Sequence, residues 1–293
     1  MAACTEPEES RSLAPGLFRR GRKARAGREL AVELVFRPLA HPVVLALAPL
    51  RASPPLVVGA NAVAGFLAAV AIARGQLVGA ALLLQLKTVL DNADGQLARA
   101  TGRATALGRY LDTEADLAVN VAVFAALAYE TGSPLLALVG LGALTLVLGA
   151  AFNEDVLYRR ARGEVVETQP SVEGEGALAR ALAAVYRVVF APQDRVLQGI
   201  AGRRLERIVS GEAESERRER VVLAYFDDAT STVLANVGGL STQLVVLGLC
   251  LALGEPELYL WLVLACAAAL PLLQVRRELL ARRAARAPVQ KAQ

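Results

Sequence analysis

Six long, nearly uncharged stretches follow one another in this chain, near residues 55–73, 76–95, 106–130, 134–155, 230–253 and 256–275. A helix needs about 20 mostly apolar residues to cross the hydrocarbon core of a bilayer. Inside that core every backbone N–H and C=O must be satisfied within the protein, which helices achieve segment by segment. The expected fold is therefore an all-α integral membrane bundle of six transmembrane helices. Composition agrees: 55% of residues are hydrophobic and the mean hydropathy is +0.42. Three cysteines in 293 residues exclude a disulfide-stapled secreted domain.

The flanking segments divide the chain further. Residues 1–29 form a basic tail with Arg19, Arg20, Arg22, Lys23, Arg25 and Arg28, and no apolar core follows at signal-peptide distance. Over 30–54, Leu30, Val32, Leu34, Val35 and Phe36 alternate with Glu29, Glu33 and Arg37, as in an amphipathic juxtamembrane helix lying on a membrane surface. Residues 55–155 hold the first four spans, 156–229 a charged cytosolic or interfacial insertion, 230–275 the last two spans, and 276–293 a second basic tail. Within the insertion, Leu178, Leu182, Val185, Val188, Val189 and Phe190 read as a surface-lying helix in preference to a seventh span.

All Lys and Arg except Arg74 and Lys87 fall in the tails, the 99–109 loop, the insertion or the approach at Arg37 and Arg51. The positive-inside rule then puts both termini and the 95–108 loop in the cytosol. The net charge of +4 is accordingly a topological label. Nucleic-acid binding is not expected, since no aromatic residues interleave with the basic runs. Arginine outnumbers lysine and alanine is abundant, a composition typical of a GC-rich bacterial genome, so the expected location is a bacterial plasma membrane.

The second and third spans break their apolar character at their facing ends. The stretch 91–116 reads D-x2-D-G-x2-A-R-x8-G-x3-D-x3-D, with Asp91, Asp94, Gly95, Ala98, Arg99, Gly108, Asp112 and Asp116 at the fixed positions. Asp91 and Asp94 share one helix face, as do Asp112 and Asp116, so two helices can aim four carboxylates at one point. Charges at the end of membrane helices need a reason, and the simplest neutraliser is one or two hard divalent cations. With no cysteine or histidine nearby, magnesium or manganese fits the donor set. Two such ions form a clamp for phosphoryl or pyrophosphoryl transfer. Gly95, Ala98 and Gly108 leave the helix surfaces without bulk, and Arg99 offers a guanidinium fork for phosphate oxygens.

This motif resembles the signature of the CDP-alcohol phosphotransferase (CDP-alcohol phosphatidyltransferase) family at every fixed position. The resemblance implies that Asp91, Asp94 and Asp112 ligate metal, while Asp116 is the proton acceptor and a ligand of a second ion. It further implies that Gly95, Ala98, Arg99 and Gly108 line the CDP site and that Thr105 touches the pyrophosphate. Family members move the phospho-alcohol part of a CDP-alcohol donor to an acceptor alcohol and release CMP, commonly as homodimers, so phospholipid biosynthesis is the expected role. A soluble CDP-alcohol with a lipid or polyol acceptor is the variant within the family. Two departures stand out. The stretch Ser53, Pro54, Pro55, Leu56, Val57, Val58 lacks the Asn and Thr that many relatives carry at the start of their first span. Leu117 replaces the Arg or Lys that several phosphatidyl-transferring relatives place after the last aspartate.

Other classes fit less well. A divalent-cation transporter would place its site at the bilayer midplane between repeats, whereas both aspartate pairs lie at one membrane face. An inactive metal-dependent scaffold is at odds with the intact aspartates. Among smaller signals, Asn120 lies one turn past Asp116 and either orients it or touches the acceptor, or joins two helices. Arg159, Arg160 and Arg162 are either phosphate contacts for an acceptor or ordinary positive flanks. Asn236 either lines the cavity or joins helices. Gly238 and Gly239 permit close packing, Cys250 and Cys266 are packing residues, and Tyr259 and Trp261 suit an interfacial anchor.

Overall fold

The computed structural model describes residues 29–174, 176–210 and 215–287. The basic tail before Glu29 and residues 288–293 lie outside the described residues. Among those described, every regular element is helical. A π-helical turn, Val32–Phe36, runs into α1 (Arg37–Leu47). Then come α2 (Pro54–Ala73), α3 (Leu77–Thr101), α4 (Ala106–Thr131) and α5 (Pro134–Ala161). The insertion supplies α6 (Ala177–Val189), α7 (Ala191–Val209) and α8 (Ser215–Tyr225). The chain closes with α9 (Asp228–Val237), α10 (Leu240–Ala252) and α11 (Pro256–Arg286).

Three helices, α2, α5 and α11, are long and apolar enough to cross a membrane, and a fourth candidate is the run 215–237 joined to α10 across a 46° bend. The third and second expected spans keep their helices, α4 and α3, but the charged residues at their facing ends hold them apart from that set. The fifth stretch, read from sequence as continuous over 230–253, is broken at Gly238–Gly239. At Gly238 a β-carbon would meet Ala151 Cβ at 2.6 Å and the Val147 carbonyl at 2.7 Å. At Gly239 it would collide with the Glu29 carboxylate. The glycine pair thus permits close packing, as its sequence suggests, and also ends a helix.

One apolar core joins α2, α3, α4, α5, α10 and α11 around Ile72, Leu84, Val119, Leu127, Leu247 and Leu260. Cys250 packs within it. Tyr259 belongs there too: it is buried beside Phe124 and its hydroxyl donates to Gln243 Oε1 at 3.2 Å. It is therefore not an interfacial anchor, because its position on α11 faces the bundle; Trp261, 57% exposed, keeps that geometry. The outer faces of the long helices are apolar, with Leu56, Phe66 and Leu67 on α2 and Leu135 and Leu138 on α5 exposed. In water such continuous apolar surface would be a liability.

At one end of this bundle three smaller clusters form. Ala40 and Val44 of α1 pack with Val57, Ala93 and Leu97. Tyr110 of α4 meets Ala183 and Tyr186 of α6. Val209, Val221, Tyr225 and Phe226 pack on Ala281 of α11. The insertion is thus docked on the end of the bundle where the aspartate motif lies. At 13 residues α6 is too short to span a bilayer, in keeping with a surface helix. Its Leu178, Val185, Val188 and Val189 face outward while Ala179, Ala183 and Tyr186 face in.

Candidate active site

Helix α3 ends at Gly102, which adopts the left-handed conformation (φ 67°), and α4 starts three residues after it with Thr105 as its N-cap. Thr105 Oγ1 accepts from the Gly108 amide at 3.0 Å. Helix α2 packs against both α3 and α4, holding them so that Asp91 of α3 faces Asp112 and Asp116 of α4. One carboxylate oxygen from each of Asp91, Asp112 and Asp116 lies within 4.8 Å of the others, a spacing suited to a shared cation. Asp94, buried one turn beyond Asp91, stands outside that trio.

Two observations test whether a hard cation fits. Asp112 Oδ1 and Asp94 Oδ2 are buried without a hydrogen-bond partner, and a buried anionic oxygen left that way is costly. Three mutually close carboxylates also repel one another unless a positive charge sits among them. Oxygen-only donors match magnesium or manganese. The residues present therefore fit a divalent ion.

The protein supplies one positive charge of its own. Lys87 is fully buried, and its Nζ donates to Asp116 Oδ1 at 2.7 Å. Sequence reading noticed Lys87 as an ammonium inside a span but gave it no partner. Asn61 of α2 was missed altogether. It is 1% exposed and its Nδ2 donates to Asp91 Oδ1 at 3.4 Å. The signal was available as a lone amide in an apolar stretch, eight residues after Ser53.

The neighbouring motif positions are also brought together. The Arg99 guanidinium folds over Gly95, with Nη1 3.0 Å from where a β-carbon would sit. A side chain at 95 would displace that fork. Ala98 and Arg99 lie on the last turns of α3, and Gly108 on the first turn of α4.

A cavity of about 390 Å³ opens from Asp91, Asp112 and Asp116 past Asn120. Its far walls are the end of α5 (Thr145, Gly149, Glu154, Asp155), the α6–α7 corner (Tyr186, Phe190, Gln193, Asp194) and the α9–α10 break (Ser231, Gly239, Ser241). Asn120 thus faces the cavity. Asn236 instead accepts from the Leu30 amide at 2.9 Å, tying the N-terminal segment to α9. Glu29 lines the cavity and accepts from the Thr242 amide and hydroxyl, both at 3.1 Å. At the corner, Asp194 accepts from Asn153 Nδ2 at 2.7 Å and from the Tyr186 hydroxyl at 2.9 Å. Burial first, and then the Asp194 charge, push the Tyr186 hydroxyl well above its usual range, so it remains a donor.

Arg159, Arg160 and Arg162 turn elsewhere. Arg159 Nε donates to Glu164 at 2.7 Å, Arg160 Nη1 to Gln198 at 3.2 Å and Arg162 Nη2 to Asp228 at 2.9 Å. None of the three lines the cavity.

Comparison with known proteins agrees with the motif. Residues 52–191 match the family model for CDP-alcohol phosphatidyltransferase. The match runs from α2 to the start of α7, taking in the aspartates and, of the α6–α7 corner, Tyr186 and Phe190. No curated protein matches the chain significantly.

Proposed function

We propose that this chain, with its CDP-alcohol phosphatidyltransferase domain, is an integral membrane transferase. It moves the phospho-alcohol moiety of a CDP-alcohol to an acceptor hydroxyl with release of CMP, in phospholipid biosynthesis. The observation that carries this reading is the meeting of Asp91, Asp112 and Asp116 within 4.8 Å at the mouth of a cavity large enough for a second substrate. The proposed topology has six crossings, with α3, α4 and the bent α9–α10 unit joining the three most apolar helices. The amphipathic segment 30–54 then lies at the bilayer surface, with both termini and the site in the cytosol. A bacterial plasma membrane and a homodimer complete the proposal.

Asp91, Asp94, Asp112 and Asp116 are the proposed holders of magnesium or manganese. Bound there, the metal supplies charge stabilisation for the donor pyrophosphate and the departing CMP. The protein does the rest by positioning. Gly95, Ala98 and Gly108 let the nucleotide approach the helix backbones, with Arg99 and the Thr105 turn beside its phosphates. The acceptor oxygen forms a bond to the phosphorus distal to cytidine as that phosphorus loses its bond to the CMP oxygen. The hydroxyl proton passes to Asp116.

The test is purified chain in lipid with magnesium or manganese, supplied with CDP-diacylglycerol or a soluble CDP-alcohol and a panel of alcohols. Metal-dependent CMP release is expected. A chain that binds the metal yet releases no CMP from any pair would remove the transferase reading.

A further inference from the structure

The cavity beyond the aspartates is walled by Glu29, Glu154, Asp155 and Asp194, and Arg109 is the one basic side chain among its described lining residues. Arg109 Nη1 is engaged with the Glu167 carbonyl at 3.3 Å. Of the three arginines that end α5, Arg160 and Arg162 are bonded to Gln198 and Asp228, away from the cavity, while Arg159 is shared between Glu164 and the wall residue Asp155. Glu154 has a buried cation of its own, Arg277, and Asp155 has Arg159 at 3.8 Å. The two donors to Asp194, Asn153 and Tyr186, are neutral, so they satisfy its oxygens without cancelling its charge. Neutral donors complete the wall: Asn120, Ser231 and Ser241 line it, as does Gln193, whose amide is fixed on the Thr145 carbonyl at 3.0 Å.

From this we infer that the acceptor is an alcohol carrying no phosphate: a neutral or amine-bearing hydroxyl compound, or an uncharged lipid alcohol. The inference rests on the transferase reading above and narrows it. A phosphomonoester acceptor would bring about two negative charges into a partly desolvated space walled by carboxylates. There the repulsion from Asp194 is less screened than in water, and among the described lining residues the one basic side chain, Arg109, is already engaged with the Glu167 carbonyl. Rejection of a wrong substrate by like charge is an effective route to specificity. The acidic wall tolerates a hydroxyl, which finds acceptors for its proton, and it favours an ammonium.

The experiment compares matched pairs in the same lipid and metal. Glycerol is set against glycerol 3-phosphate, inositol against inositol 1-phosphate, and ethanolamine against phosphoethanolamine, with CDP-diacylglycerol as donor. Diacylglycerol is set against phosphatidic acid with CDP-ethanolamine as donor. In the productive pair the unphosphorylated member is expected to give kcat/KM at least about tenfold higher, the scale of one poorly screened charge contact. Asp155→Arg should shift that ratio toward the phosphomonoester at least several-fold, and Asp155→Asn in the same direction by less, should the arginine variant not fold. Equal use of both members, or preference for the phosphomonoester, overturns this inference and leaves the transferase reading standing. CMP release from none of the pairs overturns both.

Discussion

The Lys87 ammonium, with no exposed surface, lies 2.7 Å from Asp116 Oδ1, inside the cluster of carboxylates proposed to hold metal. A buried ammonium persists only when paired, and removing one member of such a pair strands the other. Here the pairing also fixes the orientation of the Asp116 carboxylate. Lys87→Met should therefore lower kcat at least about tenfold through misplacement of Asp116. Because it deletes a positive charge from the cluster, the same change should tighten manganese binding. Lys87→Arg keeps the charge and should recover part of the loss. Calorimetry or manganese spin resonance on the purified variants reads the binding; weaker binding in Lys87→Met would contradict the arrangement.

Asp116 itself is the proposed proton acceptor. Asp116→Asn keeps the shape and the hydrogen bond from Lys87 but removes the site for the proton. CMP release should fall by about 10²–10⁴-fold, the usual reach of one acid–base group. Binding of the CDP-alcohol, measured directly with labelled donor, should stay within a few-fold. Near-normal turnover would remove the role from Asp116.

Asn61 offers a graded test of the metal site. Its amide orients Asp91 from behind, and partners of metal-binding carboxylates commonly govern affinity by about 10–100-fold. Asn61→Leu should raise the half-saturating metal concentration by that order while activity recovers at high metal. Asp91→Ala, which removes a proposed ligand, should not recover. An Asn61→Leu enzyme with an unchanged metal requirement would show that the 3.4 Å contact carries no such function.

How far the sequence alone reached follows from what each signal encodes. The apolar stretches gave the helices of the bundle, because hydropathy over about 20 residues reports burial or lipid contact directly. The aspartate spacing pointed to four converging carboxylates, because a helix fixes which residues share a face; Asp91, Asp112 and Asp116 meet, while Asp94 stands outside the trio. Partners far apart in sequence were not legible. Nothing in the chain between Asn61 and Asp91, or between Glu29 and Thr242, announces their contact. The break at Gly238–Gly239 was half legible: the glycines announced close approach, but only Ala151, Val147 and Glu29 in place explain why the helix must stop. Tyr259 misled for a similar reason, since an aromatic near a helix end reads the same whether it faces lipid or Phe124.

A last prediction concerns the joint between the insertion and the bundle, where Asp227 caps α9. Its Oδ1 accepts from the Ala229 and Thr230 amides at 3.1 Å, and Arg276 on α11 pairs with the same carboxylate at 2.9 Å. Burial alone would raise its pKa, but the Thr230 hydroxyl and amide, with Arg276, outweigh it and hold the carboxyl below its ordinary 3.8. A carboxyl with a lowered folded value stabilises above its unfolded value and loses that contribution as pH falls through the folded one. Asp227→Ala should therefore cost about 0.5–2 kcal/mol at pH 7, the range for a lost N-cap. That appears as a fall of a few degrees in apparent Tm at fixed scan rate. The gap between the two proteins should hold constant from pH 7 down to about 5. It should then shrink below the ordinary carboxylate value, as wild type gives up the same interaction by protonation. Scans of both proteins across that range, in one detergent, read the difference directly. A gap that stays the same width at pH 3 would mean that the Asp227 charge contributes nothing to holding α9 against α11.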